Sequence, residues 1–157
     1  MKILTLSTMS GLTRGQIDQF ISRYGIHVHA QPRFGAAREF TPADAFMINL
    51  AGQLRAMRVN NQDIASAVGS IVPRVDPHTF EQLEIYPERA ELEATGEPVY
   101  AVVTKVSEGD TKKMIATFVR QSDLDKELLK LGAGASIVVC ASLIADTIER
   151  LEGDRRG

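Results

Sequence analysis

LTRGQIDQFISRYG, residues 12–25, is the stretch on which the reading of this chain turns. Thr13 and Gln16 have the spacing of a capping box, in which the Thr oxygen accepts a backbone N–H and the Gln side chain reaches back. A helix over residues 14–24 follows. Ile17, Phe20 and Ile21 share one face, and Arg14, Gln16, Gln19, Arg23 and Tyr24 occupy the remainder. Gly25 suits a left-handed helix end. Upstream, Ile3, Leu4, Leu6 and Met9 recur at helical steps as far as Gly11, giving a first short helix over 4–10 and then a tight turn. Two short helices at a sharp turn are either a plain packing unit or a pair whose second member enters a DNA major groove. The long polar residues fit the groove, because Gln and Arg match base edges and Arg also pairs with phosphate, but on this segment alone the plain packing unit is the commoner case.

The next residues extend that reading. IHVHA alternates as a strand does, QPRFGA carries the turn formers Pro32 and Gly35, and AREF returns. The expected ribbon pairs 26–30 with 37–40, placing Arg33 at its tip and Arg38 on its return arm, where guanidinium groups can hold phosphate or enter a minor groove. Thr41, Pro42 and Asp44 then form a strong helix start. Ala45, Phe46, Ile48, Leu50, Leu54 and Met57 carry an apolar stripe to about residue 57. A further start at Asn60 or Asn61 opens a short helix with Ile64, Ala67 and Val68 inward.

This order and these residues resemble the DNA-binding domain of the MerR family and the wider MerR-like winged helices that include phage excisionases. The resemblance rests on LTRGQIDQFISRYG, on REFTPADA after the ribbon and on QLRAMRVNNQDIASAV, and it covers about residues 1–70. It implies a winged helix-turn-helix of four helices and a β-ribbon wing. Arg38 and Phe40 match the family's basic and aromatic positions leaving the wing. Asp18, Gln19 and Phe20 stand where members carry Arg and paired Tyr, so the family's phosphate pattern does not transfer to the second helix. Asp18 repels phosphate, although a carboxylate can accept from cytosine.

The remainder divides at the prolines. Residues 73–98, with Pro73, Pro77 and Pro87, read as an acidic linker and helical segment whose Glu81, Glu84, Glu88, Glu91, Glu93 and Glu97 lie on solvated faces. The long unbroken dimerisation helix typical of the family is therefore absent or shortened. Residues 99–157 read as a small α+β unit with about three antiparallel strands and two or three helices. VYAVVTKV and KMIATFV form a hairpin around a turn over 107–112, and Ser122 with Asp125 caps a helix that stops at Gly132. ASIVVCAS is a third strand. A final helix sets Leu143, Ile144, Ile148 and Leu151 inward. The expected fold class is α+β, with residues 1–72 the winged helix-turn-helix and 99–157 a dimerisation or interaction domain.

Charge and composition limit the function. Residues 1–70 hold seven basic and four acidic residues, a net of +3; the formal −2 of the whole chain leaves −5 for the rest. A basic head on an acidic body fits a DNA binder better than the overall sum does. With 44% hydrophobic and 24% charged residues the chain is globular rather than disordered. The apolar runs are too short to span a membrane and the N-terminus lacks an export signal's core, so a cytoplasmic protein is expected. Cys140, alone, reads as a buried apolar residue. His27 and His29 lack a third ligand. Ser107, Ser122 and Ser142 have no nearby base, and the 132–134 glycine loop lacks a phosphate-binding lysine. No enzyme, cofactor or metal is expected. The leading expectation is a sequence-specific bacterial or phage transcriptional regulator that binds double-stranded DNA as a homodimer, using Thr13, Arg14, Gln16, Gln19, Arg23, Tyr24, Arg33 and Arg38. The acidic half would hold the two heads together and receive any protein partner or small-molecule effector. The alternatives are an excisionase-like architectural factor and a protein-interaction adaptor that docks through the winged helix.

Overall fold

Gly11 and Gly25, both at φ 69°, turn the chain through left-handed backbone that a side chain would disfavour. Between and before them lie α1 (Ile3–Ser10) and α2 (Arg14–Ser22). The computed structural model describes residues 1–26, 39–71, 96–131 and 136–153. The capping box forms as the sequence predicts: Gln16 N–H donates to Thr13 Oγ1 at 3.3 Å and Thr13 N–H to Gln16 Oε1 at 2.9 Å. The helix stops at Ser22 rather than at 24 because Arg23 takes the C-cap and the chain bends at Gly25. Most of the expected ribbon, with Arg33 and Arg38, lies outside the described residues. Where the chain is described again, Glu39 bridges to Lys2 and Phe40 N–H donates to the Met1 carbonyl at 2.8 Å, which pins the start of α1 beside the approach to α3.

Helix α3 (Pro42–Ala56) starts on a second capping box, between Thr41 and Asp44. It is buried at every position from Ala43 to Gly52, including polar Asp44 and Asn49. The single apolar stripe read from the sequence understates this helix, because α1, α4 (Asn61–Gly69), α6 (Ala141–Gly153) and β3 (Ile137–Cys140) all lie against it. Met57, placed by sequence at the inner end of that stripe, is instead the exposed C-cap. Asn60 caps α4 by accepting from Asp63 N–H at 2.9 Å.

The C-terminal half builds a three-stranded antiparallel sheet in the order β2-β1-β3. β1 (Val99–Glu108) and β2 (Thr111–Arg120) pair from Val99↔Arg120 to Glu108↔Thr111, so the turn shrinks from the expected 107–112 to Gly109 and Asp110. Gly109 allows this at φ 61°. β3 pairs on the other side of β1, with Ala101↔Val139 in register. Ala101, Val103, Ala116, Phe118 and Val139 face the core shared with α3, and α5 (Gln121–Leu131) lies against β1 and β2. α5 begins directly after β2, one residue earlier than the expected Ser122 cap. Ser122 is not the cap; its N–H donates to the Glu97 carboxylate.

Two apolar assignments are corrected. Leu4 is 76% and Leu143 65% exposed, while Leu6 on α1 and Ala141, Ala145 and Ile148 on α6 turn inward. The sequence-derived boundary near residue 72 falls among residues outside those described. The elements on its two sides share one hydrophobic cluster, in which Phe46 of α3 meets Phe118 of β2 edge-on at 6.0 Å. The described fold is thus α+β, six helices around a three-stranded sheet.

Candidate nucleic-acid interface

Ile17 and Phe20 are buried and fix the rotation of α2. That rotation leaves Arg14, Gly15, Asp18 and Ser22 exposed along one side, with Gln16, Gln19 and Ile21 half-buried at its flanks. The six candidate residues of 12–25 therefore divide. Arg14 and Arg23 stand in solvent. Thr13 is exposed, but its hydroxyl is held in the cap, and the Gln16 carbonyl oxygen is held there too. Gln19 lies on the flank, and Tyr24 is half-buried.

Arg14 and Asp18 are one helical turn apart, with Nε to Oδ2 at 3.9 Å and both side chains largely exposed. A pair this exposed adds little stability. It does hold a cation and an acceptor side by side on the outward face. Gly15 between them has no atom within 4 Å of where a Cβ would stand, so the fold makes no use of its small size. Gly15 is exposed in the first helical turn, where the positive end of the helix dipole lies.

Tyr24 closes the other end of this surface. Its ring packs on Phe20 with centroids 5.7 Å apart, and the Arg23 guanidinium lies 5.9 Å from the ring centre. The Tyr24 hydroxyl accepts from Asn61 Nδ2 at 3.5 Å, and Asn61 Oδ1 accepts from Arg55 Nη1 at 2.5 Å. Arg55, which sequence reading counted only as charge, is thereby linked to the end of α2 through α4. Arg58, exposed in the turn after α3, is the one non-glycine residue with positive φ among those described, at 63°. Neither residue announces itself by local pattern; the first needs the fold, the second the backbone angle.

The described surface thus presents exposed Lys2, Arg14, Arg23 and Arg58 and half-buried Arg55 on the N-terminal elements. Opposite charge there is in part occupied: Asp44 caps α3, and Asp63 accepts from Asn60 and from Lys105 Nζ at 2.8 and 3.2 Å. Among the described residues there is no group of three metal-ligating side chains, and no helix is long and apolar enough to cross a membrane. Searches against protein-family models and curated proteins find no match for this chain.

Proposed function

We propose that this chain is a sequence-specific DNA-binding transcriptional regulator of bacterial or phage type, acting as a homodimer. In this reading α1 and α2 are the helix-turn-helix, residues 26–40 form a wing and residues 1–72 make a MerR-like winged-helix unit. The observation that carries it is the outward face of α2. Ile17 and Phe20 are committed to the core, and the outward side presents Arg14, Gly15, the Asp18 carboxylate and Ser22, with Arg23 exposed at the C-cap beyond them. Such a face fits a groove, where guanidinium groups meet guanine edges or phosphate and a carboxylate accepts from cytosine. Thr13 and Gln16 serve as the cap that orients the helix. Gln19 reads from the flank, Tyr24 orients Arg23, and Arg33 and Arg38 grip the backbone. The net charge of +3 on residues 1–70 adds a sequence-independent attraction.

Selection of bound duplexes from random DNA tests this directly, with affinity measured against salt. A recurring two-fold motif is the expected outcome, since a homodimer reads repeated half-sites. Arg14→Ala and Arg23→Ala should each weaken binding, and a phosphate-contacting member should reduce the salt slope by about one. Binding that is no tighter to any selected sequence than to bulk DNA would refute the proposal.

A further inference from the structure

Helices α1 and α6 both rest on α3 and leave between them an apolar groove of about 440 Å³, lined by Leu4, Thr5, Thr8, Met9, Thr147 and Leu151. Two of the four large apolar side chains exposed among the described residues lie on these two helices. Leu4 forms part of the groove wall, and Leu143 projects from α6 two turns before Leu151. At about 1.5 Å rise per residue, Leu143, Thr147 and Leu151 mark one side of α6 over roughly 12 Å. Each copy of the chain therefore carries a groove and, displaced along the same helix, a leucine able to fill one.

The geometry points to a second copy of this chain as the occupant, with α6 packed antiparallel to the partner's α6 about a two-fold axis beside Thr147. That operation exchanges the two ends of the stripe. Leu143 enters the partner's groove between the partner's Leu4 and the partner's Leu151, and the reciprocal contact forms at the other end. Thr147, small and at the axis, lets the helices approach. The charges obey the same symmetry. Asp146 and Arg150 are exposed, one turn apart on α6, and neither forms an ion pair with another described residue. Antiparallel packing brings each Asp146 toward the partner's Arg150, twice over. A two-fold interface requires such self-complementarity, because one surface must match itself in both shape and charge. This inference rests on the homodimer proposed above and names its surface, which lies in part on the first helix of the proposed DNA-binding unit.

Sedimentation equilibrium on the full chain tests it, with unfolding curves recorded for every variant. Leu143→Asp should raise the dimer dissociation constant by about tenfold or more, since it puts a charge into each of the two apolar grooves. Asp146→Arg and Arg150→Asp should each weaken the dimer, and the double exchange should restore it. Thr147→Cys in a Cys140→Ser background should cross-link across the axis on mild oxidation. A wild-type dimer insensitive to these changes and not cross-linked at 147 overturns the surface and leaves the homodimer standing. A wild-type monomer at tens of micromolar, with and without selected DNA, overturns both.

Discussion

Ser70, the C-cap of α4, accepts the backbone N–H of Ala116 on β2, with Oγ to N at 2.9 Å. One turn earlier Ser66 Oγ donates to the Met114 carbonyl, also at 2.9 Å. β2 is an outer strand whose inner side is paired with β1, so these are the groups a further strand would take. Two helix hydroxyls thus close the sheet edge and join the N-terminal helices to the sheet. An unsatisfied half-buried backbone group costs about 1–3 kcal/mol. Ser66→Ala and Ser70→Ala should each lower unfolding free energy by an amount in that range, measured by urea titration. Unchanged stability in the double variant would mean that water replaces both hydroxyls without loss.

Gly52 brings α3 against the end of α1 at Ser10. A Cβ built there would stand 2.0 Å from the Ser10 carbonyl oxygen, and the clash is with backbone rather than a movable side chain. Gly52→Ala should therefore destabilise by at least the roughly 1–3 kcal/mol of an overpacked core. Gly15→Ala, with open space around it, should instead gain up to about 1 kcal/mol from helix propensity. Calorimetric melting of the pair checks the contrast. A Gly52→Ala variant as stable as the parent would mean that the two helices can slide apart.

Much of this architecture is legible in sequence because capping chemistry is local. Thr13 with Gln16, Thr41 with Asp44 and Asn60 with Asp63 fix three helix starts from residues three apart. The hairpin over 99–120 is equally local. The central place of α3 is not, since the burial of polar Asp44 and Asn49 with their apolar neighbours depends on elements distant in sequence that lie against α3. Leu4 and Leu143 failed for the opposite reason: helical periodicity offers more apolar positions than the core takes up. At the candidate interface, Arg14 and Arg23 follow from the helical wheel. The connection of Tyr24 to Asn61, 37 residues away, does not. The wing arginines lie outside the described residues and stand on sequence alone.

Glu97 links the approach to β1 with the start of α5. Its carboxyl pKa is held below the ordinary 4.5 by hydrogen bonds from the Ser122 side chain and backbone, which outweigh the opposing effect of desolvation, and the Arg120 charge adds to them. A depressed folded-state pKa stabilises above the unfolded value, and that contribution is lost as pH falls through the folded value. The melting temperature of the parent should thus exceed that of Glu97→Gln at neutral pH. The gap should narrow once pH drops below about 4.5. A gap that stays constant between neutral and strongly acidic pH would show that the carboxylate charge is not what holds Ser122.

Arg58 separates stability from recognition most cleanly. Its backbone sits at φ 63°, a region that costs an L-residue roughly 1–2 kcal/mol and glycine almost nothing. Its N–H donates to Arg55 O at 2.9 Å, so the turn between α3 and α4 is held by backbone contacts that any residue provides. The long basic side chain is exposed. Arg58→Gly should leave the protein as stable or up to about 1 kcal/mol more so, since relief of strain outweighs the added freedom of the unfolded chain. If Arg58 adds to the field that draws DNA to Arg14 and Arg23, the same variant should bind all duplexes more weakly, with a shallower dependence on salt. Paired urea titration and salt-dependent binding on one preparation decide the matter. Lower stability with unaltered DNA affinity would assign Arg58 to the turn and remove it from the interface.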